Sequence, residues 1–169
     1  MIGVFSAIAA ILMVLEFPVP FAPSFYGLDF SELPALIGAF AYGPVAGVMI
    51  EFCKILIKLV LKPSSTAFVG ELANFSISCM LVLPASVIYL FKKSRKQAIL
   101  GTVVGTLIMT AFGSCFNAIY LLPKFSELYG IPLDAIIGMG TAINPAIHSI
   151  SGLVLMCVVP LNLLKGGLV

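Results

Sequence analysis

Long apolar runs alternate along this chain with short polar or proline-rich breaks, and the breaks define the elements. The first run, Ile2 to Leu15, meets Glu16 and then Phe17-Pro18-Val19-Pro20, which predicts a helix over about 2–17. Residues 18–31 hold prolines, a glycine, Asp29 and the aromatic side chains Phe21, Phe25, Tyr26 and Phe30, the composition of a structured loop. A second helix is expected over 31–42: Ser31 can cap it, Glu32 suits the positive end of the helix dipole, and Pro34 is tolerated in a first turn. The apolar stretch from Leu33 to Leu61 is too long for one span of about 20 residues. Tyr42-Gly43-Pro44 divides it, so a third helix covers 44–61. Lys62-Pro63-Ser64-Ser65-Thr66 reads as a turn, and further helices are expected over 70–91 and 96–122, the latter stopping before Pro123.

The tail leaves two readings open. Ala135 to Leu164 contains no Asp, Glu, Lys or Arg, yet a helix of that length would reach about 45 Å against a hydrocarbon core of about 30 Å. Asn144-Pro145 and Pro160 are the expected breaks. Either 146–164 spans, or the last helix begins near Pro160 and the chain ends inside it. The chain is likewise expected to begin within its first helix, with part of each terminus absent.

Composition turns this pattern into a class. Hydrophobic residues make up 61% of the 169, and charged residues 9%, against about a quarter in soluble domains. Mean hydropathy is +1.19. So few charges cannot cover a water-facing surface, and the reading is an all-α integral membrane protein. Nucleic-acid binding, cytosolic enzymes and secreted disulfide scaffolds are excluded as leading readings. Four of the nine basic residues, Lys92, Lys93, Arg95 and Lys96, stand together. Cytoplasmic loops collect such residues, so this loop and the N-terminus are expected inside, with 18–31, 62–69 and 123–145 outside. Cys53, Cys79, Cys115 and Cys157 lie far apart in apolar runs and read as small hydrophobes.

Several polar residues interrupt the apolar helices. Thr102, Thr106, Thr110 and Ser114 repeat at i+4, with Gly101 and Gly105 alongside, which points to close helix packing and hydroxyls bonded to backbone carbonyls. Asn117 is either packing glue or a ligand contact. Glu51 and Lys54 can pair at i, i+3, leaving Lys58 and Lys62 to snorkel to the outer interface; the sharper reading makes them functional intramembrane charges. Glu71 and Asn74 share a face at the start of the fourth helix, either as a dipole-favoured first turn or as the polar wall of an outward site. Asn162 and Lys165 stand three apart after Pro160. His148 is alone and reads as interfacial rather than as a metal ligand. There is no nucleophile–base pair, metal cluster or phosphate-binding G-x-x-x-x-G-K-[ST] loop. Hydrogen bonding and stacking are what remain, and they suit a neutral aromatic ligand with polar edges. An intramembrane enzyme using Glu51, Lys54 or His148 has no coherent constellation. A purely structural subunit would leave Asp29, Asn117, Asn162 and Lys165 buried at a cost with nothing to bind.

Glu16-Phe-Pro-Val-Pro-Phe-Ala-Pro-Ser-Phe-Tyr-Gly-Leu-Asp-Phe-Ser-Glu-Leu-Pro-Ala-Leu-Ile-Gly (16–38), the segments 43–48 and 69–75, Asn117 with Tyr120 and Pro123, and Pro-Leu-Asn-Leu-Leu-Lys-Gly (160–166) resemble the membrane-embedded substrate-binding S components of energy-coupling-factor (ECF) vitamin transporters, above all those specific for riboflavin. The resemblance implies a six-transmembrane-helix bundle with a long structured loop between helices 1 and 2 acting as a lid. It implies an outer segment over 123–158 with partial helices, and a sixth helix over 160–169. It implies no enzymatic activity and no cofactor: riboflavin is the transported ligand. The implied partners are a transmembrane coupling subunit and two ATPase subunits, in the cell membrane of a prokaryote. Another vitamin or heterocycle is the alternative ligand. The implied ligand contacts are Asp29, Gly70, Asn117, Asn162 and Lys165, with Glu71 and Asn74 as weaker ones. Amides and a lysine would meet the pyrimidine edge of the flavin, Asp29 the ribityl hydroxyls, and aromatic side chains the ring faces. Ser6, Ala7 and Ala10 on helix 1 are the implied coupling residues, with the family's alanine pattern kept only approximately.

Overall fold

The computed structural model describes residues 1–18, 20, 27–63, 68–143, 145, 147 and 149–168. Phe21, Phe25 and Tyr26 of the first loop, the Ser64-Ser65-Thr66 turn, Asn144 and His148 lie outside the described residues. The elements run α1 (Ile2–Val14), β1 (Phe17–Pro18), β2 (Gly27–Leu28), α2 (Glu32–Tyr42), α3 (Pro44–Leu61), α4 (Val69–Phe91), α5 (Arg95–Phe116), α6 (Leu122–Tyr129), α7 (Leu133–Ile143), α8 (Ile150–Leu153) and α9 (Val159–Leu168). α1 stops three residues before the expected limit because Phe17 and Pro18 leave the helix to form a two-residue antiparallel ladder with Leu28 and Gly27. That ladder closes the base of the first loop and delivers Asp29 to the bundle.

Two expected helix limits are corrected. The fifth helix does not stop before Pro123. It continues through a π-helical turn, Asn117–Leu121, into α6, giving one helix over Arg95–Tyr129. Nor does the last helix start near Pro160. It begins at α8 and passes through a second π-helical turn, Val154–Val158, into α9. The physical reason is the same in both places. Proline has no N–H, and its ring collides with the carbonyl four residues back. Here the residue just before each proline bonds five residues back instead of four: Leu122 N–H donates to Asn117 O, and Val159 N–H donates to Val154 O. The widened turn absorbs the ring, so proline does not end the helix.

Three helices among the described residues are long and apolar enough to cross a membrane: Val69–Phe91, Arg95–Tyr129 and Ser151–Leu168. α1 and α2 are apolar but shorter. α3 has 18 residues and carries Glu51, Lys54 and Lys58. Gly43, at φ +103°, makes the one-residue turn between α2 and α3, with Pro44 opening the next helix. α5 packs most extensively on α4, α1 on α3, and α9 on α5. The α4–α5 contact depends on glycine. A Cβ at Gly101 would stand 2.5 Å from the Ala85 carbonyl oxygen, and one at Gly105 2.5 Å from that of Leu81. The hydroxyl series bonds its own backbone: Thr102, Thr106, Thr110 and Ser114 donate to the carbonyls of Ala98, Thr102, Thr106 and Thr110 at 2.7–2.8 Å.

The apolar core forms two clusters. One gathers Leu28, Ala73, Leu121, Leu122, Phe125 and Leu161, the other Ala35, Ile50, Leu81, Val82 and Met109, among others. Along α4, Ala73 belongs to the first and Leu81 to the second, with buried Ser78 between them. The outer faces of the helices are apolar, with Val4, Ile8, Val103, Leu107 and Leu155 among the exposed side chains. Soluble proteins keep such surface small; in a bilayer it meets lipid.

Candidate functional site

A cavity of about 230 Å³ opens where α3, α4, the α5 π-turn, α9 and the residue after β2 converge. Its polar lining includes Asp29, Gly70, Glu71, Asn74, Asn117, Asn162 and Lys165, and its apolar wall includes Met13, Ile77, Leu121, Phe125, Val158 and Leu161. All seven positions singled out as ligand contacts therefore face one space, although 136 residues separate Asp29 from Lys165.

Each is placed by a local cause. Asp29 leaves β2, and its Oδ1 accepts the Ser31 N–H at 2.8 Å, an Asx-type turn that leads into α2. Ser31 itself has helical backbone angles and makes no side-chain cap, which corrects the expected capping role. Its hydroxyl joins a charged network instead. Gly70 and Glu71 open α4, and Asn74 follows one turn later. Asn117 begins the first π-turn, and its Nδ2 donates to Gly113 O at 2.7 Å. Asn162 and Lys165 lie on one face of α9. Gly113 serves both amides: its carbonyl takes Asn117, and its bare Cα lets Asn162 approach, since a Cβ there would stand 2.7 Å from Asn162 Nδ2. That Nδ2 is buried and has no hydrogen-bond partner among the described residues. An unsatisfied buried donor is costly, and this one lines a cavity where a ligand acceptor would satisfy it.

Lys165 Nζ lies 3.0 Å from Glu32 Oε1 and 3.4 Å from Asp29 Oδ2. Glu32 also accepts from Ser78 Oγ at 2.5 Å and lies 3.6 Å from Lys54 Nζ. Lys54 reaches Ser31 Oγ at 3.1 Å and pairs with Glu51 at 2.5 Å. Glu32, Glu51 and Lys54 have no exposed side-chain surface. The Glu51–Lys54 pair is thus present but is not self-contained. Lys58 corrects a second expectation. It does not snorkel outward; it turns to Glu71 at 2.5 Å and lines the cavity. Lys62 is exposed and lies 3.6 Å from Glu16.

Glu32 and Ser78 are the residues that sequence reasoning missed, and for Lys58 it favoured the outer interface over the site. One signal was available: α3 carries two lysines, Lys54 and Lys58, against one acid, so at least one ammonium required an acid from another helix. On helix 1 the structure separates the three coupling candidates. Ser6 and Ala10 are fully buried with Ala9 and Met13, and Ser6 Oγ donates to Ile2 O at 2.7 Å. This is the inward face that the 3.6-residue period defines. Ser6 and Ala10 therefore present nothing to a partner, and Ala7 alone of the three is exposed.

No group of three or more His, Cys, Asp or Glu residues among those described could hold a metal. What the cavity offers is amide and ammonium donors, carboxylate acceptors and an apolar wall, the equipment for binding rather than for bond cleavage. The whole chain, residues 1–169, matches the family profile of the ECF transporter substrate-specific component. This chain belongs to that family. It is accordingly a substrate-binding transporter component and not an enzyme. It is 34% identical over 165 residues to the riboflavin transporter RibU of Staphylococcus aureus (strain TCH60), covering 98% of this chain and 80% of that one. It is 32% identical over 170 residues to the riboflavin transporter FmnP of Bacillus subtilis (strain 168), covering 97% and 88%. A solved structure described as the S component of a bacterial ECF transporter superposes with a TM-score of 0.74 at 34% identity, over 99% of this chain and 84% of that one.

Proposed function

We propose that this chain is a riboflavin-binding S component that captures the vitamin at the outer face of a prokaryotic cell membrane and hands it to an ATP-driven coupling module. The observation that carries the reading is the convergence of Asp29, Gly70, Asn117, Asn162 and Lys165 on one cavity, with the Asn162 amide nitrogen buried and without a partner among the described residues. Amide and ammonium donors suit the carbonyl-rich pyrimidine edge of an isoalloxazine. Asp29 and the Lys58–Glu71 wall suit ribityl hydroxyls, and Leu121, Phe125 and Leu161 suit the ring faces. The first loop acts as the lid of a six-helix bundle whose N-terminus is cytoplasmic. A transmembrane coupling subunit meets helix 1 on its exposed side, where Gly3 and Ala7 stand four apart, and two ATPase subunits drive uptake. Purified protein in detergent, titrated with riboflavin, is expected to quench flavin fluorescence saturably and without ATP. Saturable binding of thiamine or biotin with no response to riboflavin would replace the ligand and leave the fold reading intact.

A further inference from the structure

We propose that Glu32 is the positioning residue of the site: it fixes the Lys165 ammonium so that one N–H is left for the ligand. The inference rests on the riboflavin-binding reading above and adds to it a residue that never lines the cavity. Lysine carries three donors on a flexible four-carbon stem. At Lys165 two acceptors stand within ion-pair distance, Glu32 Oε1 at 3.0 Å and Asp29 Oδ2 at 3.4 Å. Two directed contacts pin an ammonium and leave its third donor for the cavity that Lys165 lines.

Glu32 suits this work because its own position is over-determined. It is fully buried in the first turn of α2. Ser78 of α4 donates to Oε1 at 2.5 Å, Ser31 Oγ lies 3.3 Å from Oε2, and Lys54 of α3 approaches Oε1 at 3.6 Å. One carboxylate thereby ties α2, α3 and α4 to α9. It also stands between two ammoniums, Lys54 and Lys165, whose charges would otherwise face each other across a dry interior. Removing the Glu32 charge would free the Lys165 stem to turn wholly toward Asp29. The ligand would then have to order the ammonium itself, and affinity would fall.

The test is a double-mutant cycle in riboflavin affinity on the detergent-purified full chain, read by fluorescence quenching, with Glu32→Gln, Lys165→Met and the double variant. Glu32→Gln is expected to weaken binding about tenfold or more, the scale of a lost charge-assisted hydrogen bond. In the Lys165→Met background the same substitution should cost less than about twofold, because Glu32 acts through Lys165. A merely structural role predicts equal losses in both backgrounds, and that result, or wild-type affinity in Glu32→Gln, overturns the proposal. Should Glu32→Gln fail to fold, Glu32→Asp, which keeps the charge but draws the carboxylate back from Lys165, supplies the second arm. It is expected to weaken binding about two- to tenfold in the wild-type background and to do nothing in Lys165→Met. Unchanged affinity in Glu32→Asp, or an equal loss in both backgrounds, overturns the proposal as well. If the wild-type chain itself ignores riboflavin, the functional reading falls first; if it binds and the cycle is additive, only the role of Glu32 falls.

Discussion

Lys58 and Lys165 both line the cavity, yet each is committed to a different acid, and the two commitments predict different phenotypes. Lys58 sits 2.5 Å from Glu71 with little exposed surface on either side chain. Lys58→Met takes away the ammonium that balances the Glu71 carboxylate, so the unliganded protein should lose about 2 kcal/mol. Thermal unfolding in detergent checks this, and Lys58→Met/Glu71→Gln should recover most of the loss. A double variant no more stable than the single would show that the charge pair is not the cause. Asn162→Leu removes the buried amide whose Nδ2 lacks a partner among the described residues. It should weaken riboflavin binding by about ten- to a hundredfold while leaving unliganded stability unchanged or raised. Asn117, Asn162 and Lys165 drew notice as amides and a charge in apolar helices, while Asp29 and Gly70 were singled out only by the resemblance to the family. Their partners were not legible. Glu32 and Ser78 meet across 46 residues of sequence, and no local spacing encodes such a contact.

At the scale of the element, α2, α3 and α4 could be read almost to the residue, because Gly43-Pro44, the polar 62–66 stretch and the basic loop are strong punctuation. The helices that carry Pro123 and Pro160 could not. The rule that proline ends a helix assumes the α-helical bonding pattern, and both chains of backbone escape it by a π-turn one residue upstream. The packing of α4 on α5 gives a second element-level prediction. Gly105→Ala forces a Cβ toward the Leu81 carbonyl oxygen, and backbone cannot step aside as a flexible side chain can. A loss of about 1–3 kcal/mol is expected. Gly138→Ala in α7 has no atom within 4 Å of the new carbon and should be stabilised by about 0.5–1 kcal/mol through helix propensity. Thermal unfolding of the two variants side by side reads both signs; equal effects would refute the packing argument.

For the molecule as a whole, the coupling reading assigns transport to one face and binding to another. Ala7→Trp, on the exposed side of α1, should lower uptake in a reconstituted complex while riboflavin affinity stays within about twofold; a matching loss of affinity would put this face on the site instead. The charged layer has a different bearing, on how the chain enters the bilayer during synthesis. A lone charge near the middle of an inserting helix costs about 2.5–3.5 kcal/mol, and α3 brings three, Glu51, Lys54 and Lys58. Its own pair cancels part of that cost. The remainder waits for Glu71 of α4, the next helix to emerge, and Glu32 waits for Lys165 of α9, made much later. α3 is therefore expected to enter poorly alone in a glycosylation-tagged insertion assay and efficiently as an α3–α4 hairpin, with Glu71→Leu abolishing the gain. The contacts that ready the cavity for its ligand also make the nascent chain depend on the order in which its helices arrive.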